Sequence, residues 1–207
     1  MAVKQPRLTL EFHPATPDRW PDLERLFGER GACGGCWCMT WRLPRADFDA
    51  GKGEAHQSRL RLLVIEDRQP GVLAYTAGEP IGWCAVAPRE EYVRLEKSRA
   101  LKPIDDRPVW SVTCLFVRRD FRHKGVSVEL LKAAIRHVEQ QGGQIVEGYP
   151  VEPKKGEMPA AFAWTGLLSA FPTVGFVEAA RGSPSRPIVR DEIRPKAKQK
   201  RPSAVTP

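Results

Sequence analysis

The run Arg122-His123-Lys124-Gly125-Val126-Ser127 joins a β-rich, nearly uncharged segment, Val109 to Val117, to a segment with Val128, Leu131, Ile135 and Val138 at helical spacing. A chain that turns into a helix there leaves its first backbone N–H groups without intrahelical acceptors. Together with the positive end of the helix dipole, those donors can hold an anion such as a phosphate. Gly125 lets the backbone approach a ligand, and Arg118, Arg119, Arg122 and Lys124 surround the turn with positive charge. A solvated basic loop is the plain alternative. A second group, Cys33-x-x-Cys36-x-Cys38, has the spacing of half a zinc site, with His56 as the one nearby candidate for a fourth ligand. With no second Cys or His cluster close in sequence, packing is the preferred reading, and no metal is assigned.

These groups need a scaffold. Leu8, Leu10 and Phe12 alternate with polar residues and predict a first strand. Trp20, Leu23, Leu26 and Phe27 predict a helix that Thr16 or Asp18 caps. A second helix is expected over 54–67, stopped by Pro70-Gly71. GVLAYTAGEPIGWCAVAPR reads as a hairpin turning at Ala77-Gly78-Glu79, and residues 90–107 as loop or short helix. After the central strand and its helix, ended by Gly142-Gly143, the pattern predicts a strand over 144–149 and a short helix over 160–171. Two last strands are expected over 175–180 and 185–190. The order describes a single α+β domain with a mixed, mostly antiparallel central sheet flanked by helices, over residues 1–190.

The chain has 207 residues, 42% hydrophobic and 28% charged, enough for one sizeable core and cramped for two. No apolar run reaches the roughly 18 residues a membrane span needs, and the first residues lack the apolar stretch of a secretory signal. Five cysteines cannot all pair, so a reducing cytoplasmic setting is the simpler reading. The net charge of +8 is partly carried by residues 191–207, a Pro- and Lys-rich stretch read as a disordered basic tail. A nucleic-acid partner for that tail is the less favoured reading, and a homodimer is left open.

The stretch LFVRRDFRHKGVS resembles the acetyl-CoA signature of the GNAT N-acetyltransferases, in which a strand ends in Val and Q/R-x-x-G-x-G/A follows at a helix start. Val117, Arg122 and Gly125 match, and Ser127 stands where Gly or Ala is usual. The element order agrees over roughly residues 5–190, including Gly175-Phe176 before the penultimate strand. The resemblance implies acetyl-CoA as co-substrate, lying where the strand from Val109 separates from the strand at Gln144. It implies that Leu115, Phe116 and Val117 hold the pantetheine arm by their backbone. The amides of His123, Lys124, Gly125, Val126 and Ser127, with the Arg122 side chain, would hold the pyrophosphate. A backbone N–H near Leu115 would polarise the thioester carbonyl, and a bound primary amine would attack the thioester directly.

The resemblance is thinner for proton transfer. Some members carry a carboxylate where this chain has Ser111, and many carry a Tyr in the late helix, which here reads AFAWTGLLSAF. Tyr149 and Glu147 are the substitutes. Either a small molecule or a protein amino group would accept the acetyl group. Its pocket would be shaped by Trp37, Met39, Trp41 and Arg42, although Trp37 and Trp41 also have the spacing of core positions on one helix face. A non-catalytic acyl-CoA sensor that keeps the fold without the acid and base is the alternative function.

Overall fold

The computed structural model describes residues 8–153 and 158–193. Seven strands form one sheet: β1 (Glu11–Pro14), β2 (Gly71–Thr76), β3 (Glu79–Pro88), β4 (Trp110–Val117), β5 (Ile145–Gly148), β6 (Val177–Ser183) and β7 (Arg186–Glu192). Their order is β1-β2-β3-β4-β5-β7-β6. The pair β4–β5 is parallel and the other neighbours are antiparallel. The α-helices are α1 (Trp20–Phe27), α2 (Arg45–Ala50), α3 (Glu54–Ile65), α4 (Val93–Glu96) and α5 (Val126–Gln140).

Strand alternation divides the core between the two faces of the sheet. Leu73, Tyr75, Trp83, Ala85 and Cys114 pack with α1, α3 and the loop through Trp37 on one face. Ala74, Cys84, Val86, Val112 and Val146 pack against Val126, Leu130, Ala134 and Val138 of α5 on the other. The helix α5 is the crossover that a parallel β4–β5 pair requires.

The pairing of β3 with β4 skips one residue. Ala85 opposes Cys114 and Val86 opposes Val112, so Thr113 is an extra residue bulged out of register. In an unbroken strand Val112 and Cys114 would share a face. The bulge instead turns Val112 toward α5 and Cys114 toward the loop of Cys38. It also marks the end of the β4–β5 ladder, whose last pair is Val112 with Gly148.

Three expectations are corrected. The stretch 160–171 forms no α-helix: it contains 3-10 turns at Ala160–Phe162 and Leu168–Ala170, with another at Pro172–Val174. Between them, Gly166 has φ +88 and fits so closely against Phe171 and Leu115 that a Cβ would come within 2.9 Å of both. Trp37 and Trp41 share no helix face, because 33–42 is a compact series of turns with Trp37 and Cys38 at positive φ. The last strand runs to Glu192, so Asp191 and Glu192 pair with Val146 and Ile145 and are not part of a tail. Residues 194–207, the rest of the segment read as a basic tail, lie outside the described residues.

Candidate active site

The turn from β4 into α5 has the form expected of an anion site. Gly125 caps α5 in the left-handed region, with φ 77, and a Cβ there would meet no atom within 4 Å, so the space in front of it is open. The helix's first bonds run from the Val128 and Glu129 N–H groups to the Gly125 carbonyl, at 3.0 and 3.2 Å. Upstream, the N–H groups of His123, Lys124, Gly125, Val126 and Ser127 have no backbone acceptor among the described residues. The half-buried Arg122 donates through Nε to the Val117 carbonyl at 2.9 Å, which fixes the turn to the end of β4. His123 and Lys124 are exposed. Arg118, counted as part of the positive rim, forks onto Asp120 with two 2.9 Å bonds and is neutralised there.

Past the bulge, β4 and β5 diverge and the chain's own segment 163–168 bridges the opening. The Leu115 N–H donates to the Trp164 carbonyl at 2.7 Å, and Val151 exchanges bonds with Gly166 and Leu168 at 2.9 and 3.0 Å. The donor expected to polarise a thioester carbonyl is therefore already engaged in this structure.

Ser111, Glu147 and Tyr149 do come together, but inside the protein. The Tyr149 hydroxyl donates to Glu147 and accepts from Arg89 and Ser111, each at 2.8 Å. The other Glu147 oxygen accepts from Arg190 at 2.6 and 3.1 Å, and Arg190 reaches on to Asp105 at 2.7 Å. Glu147 is 1% exposed, and Ser111 and Tyr149 are fully buried. Burial, then the Glu147 charge, holds the Tyr149 phenol well above its ordinary pKa. A carboxylate between two guanidiniums and a phenol with every bond filled join β4, β5 and β7 as a clamp.

The residues expected to shape an acceptor pocket separate. Trp37 is buried between Trp20 and Phe27, with ring centroids 6.0 and 5.3 Å away, and Met39 is 2% exposed. Arg42 is also internal, ion-paired with Glu91 and stacked 4.6 Å over Tyr92. These three are core. Trp41 alone of the four lines a cavity of about 270 Å³, where it faces Trp164 at 5.9 Å.

That cavity holds what sequence reading missed. Its walls include Cys36, Cys38, Cys114 and Leu115, so it opens onto the diverging end of β4. The Trp83 indole N–H donates to the Cys38 sulfur at 3.2 Å. A hydrogen bond shared with the Cys114 thiol, then the Trp83 N–H and the Arg42 charge, lower the Cys38 pKa against the cost of burial. The same bond pushes Cys114 up, and burial pushes Cys36 up to about 12, so both stay thiols. Nothing in the spacing C-x-x-C-x-C announces Cys114, which is brought in by the Thr113 bulge. His56, weighed as a metal ligand, instead donates through Nδ1 to the Gly35 carbonyl at 3.0 Å and stacks on Phe48.

Comparison with known proteins agrees with this architecture. Residues 37–152 match the family model described as acetyltransferase (GNAT) family. No curated protein matches the sequence. Among solved structures, PaiA N-acetyltransferase from Thermoplasma acidophilum, in complex with coenzyme A, is 14% identical with a TM-score of 0.51 over 89% of this chain and 99% of that one. A GNAT family acetyltransferase from Listeria monocytogenes is 11% identical with a TM-score of 0.55, covering 90% of this chain and 96% of that one. YncA from Salmonella typhimurium, solved with its cofactor acetyl-CoA, is 13% identical with a TM-score of 0.50, covering 95% and 99%. At these identities the likeness is one of fold. The family match spans more than half of the chain, from the cysteine loop through β5, and the chain belongs to the acetyltransferase (GNAT) family.

Proposed function

We propose that this protein transfers an acetyl group from acetyl-CoA to a primary amine. The observation that carries the reading is the turn His123 to Ser127: five backbone N–H groups without backbone acceptors, in front of open space, at the positive end of a 15-residue helix. Those amides and the outer nitrogens of Arg122 would hold the pyrophosphate, and the edge of β4 at Leu115 to Val117 would hold the pantetheine arm. The structures of PaiA with coenzyme A and YncA with acetyl-CoA support this co-substrate. For the arm to pair with Leu115, the Trp164 carbonyl has to release its N–H. The acceptor would approach through the cavity of Cys38 and Trp41, which meets β4 beside that N–H. A small molecule and a protein amino group both fit this route.

All five cysteines are free, which suits a cytoplasmic setting, and no helix among the described residues is long and apolar enough to cross a membrane. A second reading, an acyl-CoA sensor without turnover, draws on the engaged Leu115 N–H and on the burial of Glu147 and Tyr149. Calorimetric titration of acetyl-CoA into wild type and Gly125→Asp tests the site that both readings share. Binding by the wild type alone supports it, and equal binding by both proteins sinks it. Free CoA released with a panel of amines then separates enzyme from sensor: turnover above buffer hydrolysis is expected, and its absence with every amine favours the sensor.

A further inference from the structure

We propose that Cys38 is an acyl-carrying residue, which accepts the acetyl group from acetyl-CoA as a thioester and passes it to the acceptor amine. The inference rests on the acetyl-CoA reading above and replaces direct attack by a two-step route.

The geometry provides a nucleophile at the cavity, while the expected acid and base, Tyr149 and Glu147, are buried away with their bonds filled. Cys38 lines the cavity that meets β4 at Leu115, the strand edge along which the thioester would lie. Its sulfur accepts from the Trp83 indole and lies in the same cavity wall as the Cys114 thiol, and the Arg42 guanidinium adds positive charge nearby. Such donors favour the thiolate, the reactive form of cysteine, over the thiol. The other groups facing it, Cys36, Cys84, Cys114 and Tyr92, are all held in their neutral forms by burial or by Cys38 itself. Trp37 and Cys38 are consecutive non-glycine residues at positive φ, 41 and 57, a conformation that persists only where surrounding structure enforces it. Here Trp37 is locked between Trp20 and Phe27, and that lock presents Cys38 to the cavity.

The chemistry balances without an oxidant. The Cys38 thiolate attacks the acetyl carbonyl carbon, a new C–S bond forms, the bond to CoA breaks, and CoA leaves as a thiolate that takes a proton from water. One thioester replaces another, so little free energy changes. The acceptor ammonium then loses a proton to water, and its nitrogen attacks acetyl-Cys38 and expels the thiolate, which Cys114 and Trp83 receive again. The second amine proton goes to water.

The test needs no knowledge of the acceptor. The full-length protein is incubated with acetyl-CoA alone, acid-quenched and peptide-mapped by mass spectrometry. Exchange of radiolabelled free CoA into acetyl-CoA is followed in parallel, because it detects a short-lived acyl-enzyme. One acetyl group on Cys38, removed by neutral hydroxylamine, or CoA exchange is expected. Both are lost in Cys38→Ala, which still binds acetyl-CoA by titration, and both are slowed in Gly125→Asp. Binding of acetyl-CoA with neither label nor exchange overturns the proposal and leaves the acetyltransferase reading standing. So does label on another cysteine, or label that forms as fast in Gly125→Asp. Absence of acetyl-CoA binding removes both.

Discussion

The two halves of β4 do different work although they are one strand. From Trp110 to Val112 it is paired with β3 on one side and β5 on the other, and Ser111 is sewn into the clamp of Arg89, Glu147, Tyr149 and Arg190. From Thr113 to Val117 it keeps β3 but loses β5, and its edge, held at Leu115 by the Trp164 carbonyl, meets the cavity of Cys38 and the turn into α5. The single bulged residue, Thr113, separates the halves. Polar groups in the closed half are saturated with partners and stabilise the sheet. The open half leads to the turn 123–127 with its spare N–H donors and is bridged by a single bond at Leu115, and the proposed binding site requires that bond to be released.

If this division is right, substitutions in the two halves fail in different ways. The largest effect is expected for Glu147→Ala, which leaves Arg89 and Arg190 as buried charges without their shared carboxylate. Breaking a buried pair of this kind costs about 3 to 5 kcal/mol. For a chain of this size the midpoint of thermal unfolding should fall by roughly 10 °C. The protein still folded at low temperature should bind acetyl-CoA like the wild type, and a selective loss of binding without loss of stability would reverse the assignment of the halves. Gly125→Asp should do the opposite. Asp is tolerated in the left-handed region better than most residues and meets open space, so the loss of stability should stay near the low end of the about 1 to 3 kcal/mol that such a backbone position costs. The added carboxylate should weaken acetyl-CoA binding by more than about tenfold, or about 1.4 kcal/mol. Gly125→Asn, with the same shape and no charge, should lose less, and equal losses in the two variants would show that bulk rather than charge is responsible.

Much of this division was legible in the sequence, for physical reasons that can be traced. The turn 122–127 was readable because helix initiation after a strand is a local event, set by adjacent residues and by one glycine. The hairpin of β2 and β3 and the amphipathic α5 were readable on the same ground. The cysteine cavity was not, because Cys38 and Cys114 are distant in sequence and meet only through the register slip at Thr113, which no periodicity records. Glu147 and Tyr149 were found together, but their burial depends on Arg89 and Arg190 arriving from other strands and loops. The expected helix over 160–171 failed because Gly166 is needed at positive φ against Leu115 and Phe171, and tertiary fit overrode the local pattern. Spacing alone does not distinguish a helix from successive turns, so it could not separate Trp37, which is core, from Trp41, which lines the cavity.

A smaller substitution sharpens the same contrast. Tyr149→Phe removes the hydroxyl that links Ser111, Glu147 and Arg89 while keeping the buried ring. The expected loss is about 1 to 3 kcal/mol, because Glu147 and Arg89 keep other partners while the buried Ser111 hydroxyl loses its hydrogen bond. The pH dependence of acetyl transfer should not move, since the phenol is held far above neutrality inside the clamp. A shift in the rate profile with unchanged stability would return Tyr149 to the catalytic role.

The smallest effect concerns His137, which packs edge-on against Trp110 at the start of the closed half, at 6.1 Å and 86°. Burial lowers its pKa below the ordinary 6.5, partly opposed by a hydrogen bond to the Gln69 backbone. The folded protein therefore keeps this imidazole neutral, while the unfolded chain takes up a proton more readily. That contribution to stability is complete above pH 6.5 and declines as the pH falls from there through the lower folded value. The unfolding midpoint of the wild type should thus drop between about pH 7.5 and about pH 5.5. His137→Phe, which keeps a ring against Trp110, should flatten part of that drop, leaving the share of His56, whose pKa burial also lowers. An unchanged slope in His137→Phe would mean that His137 is hydrated in the native state. The closed half of β4 would then be looser at its first residue than the clamp around Ser111.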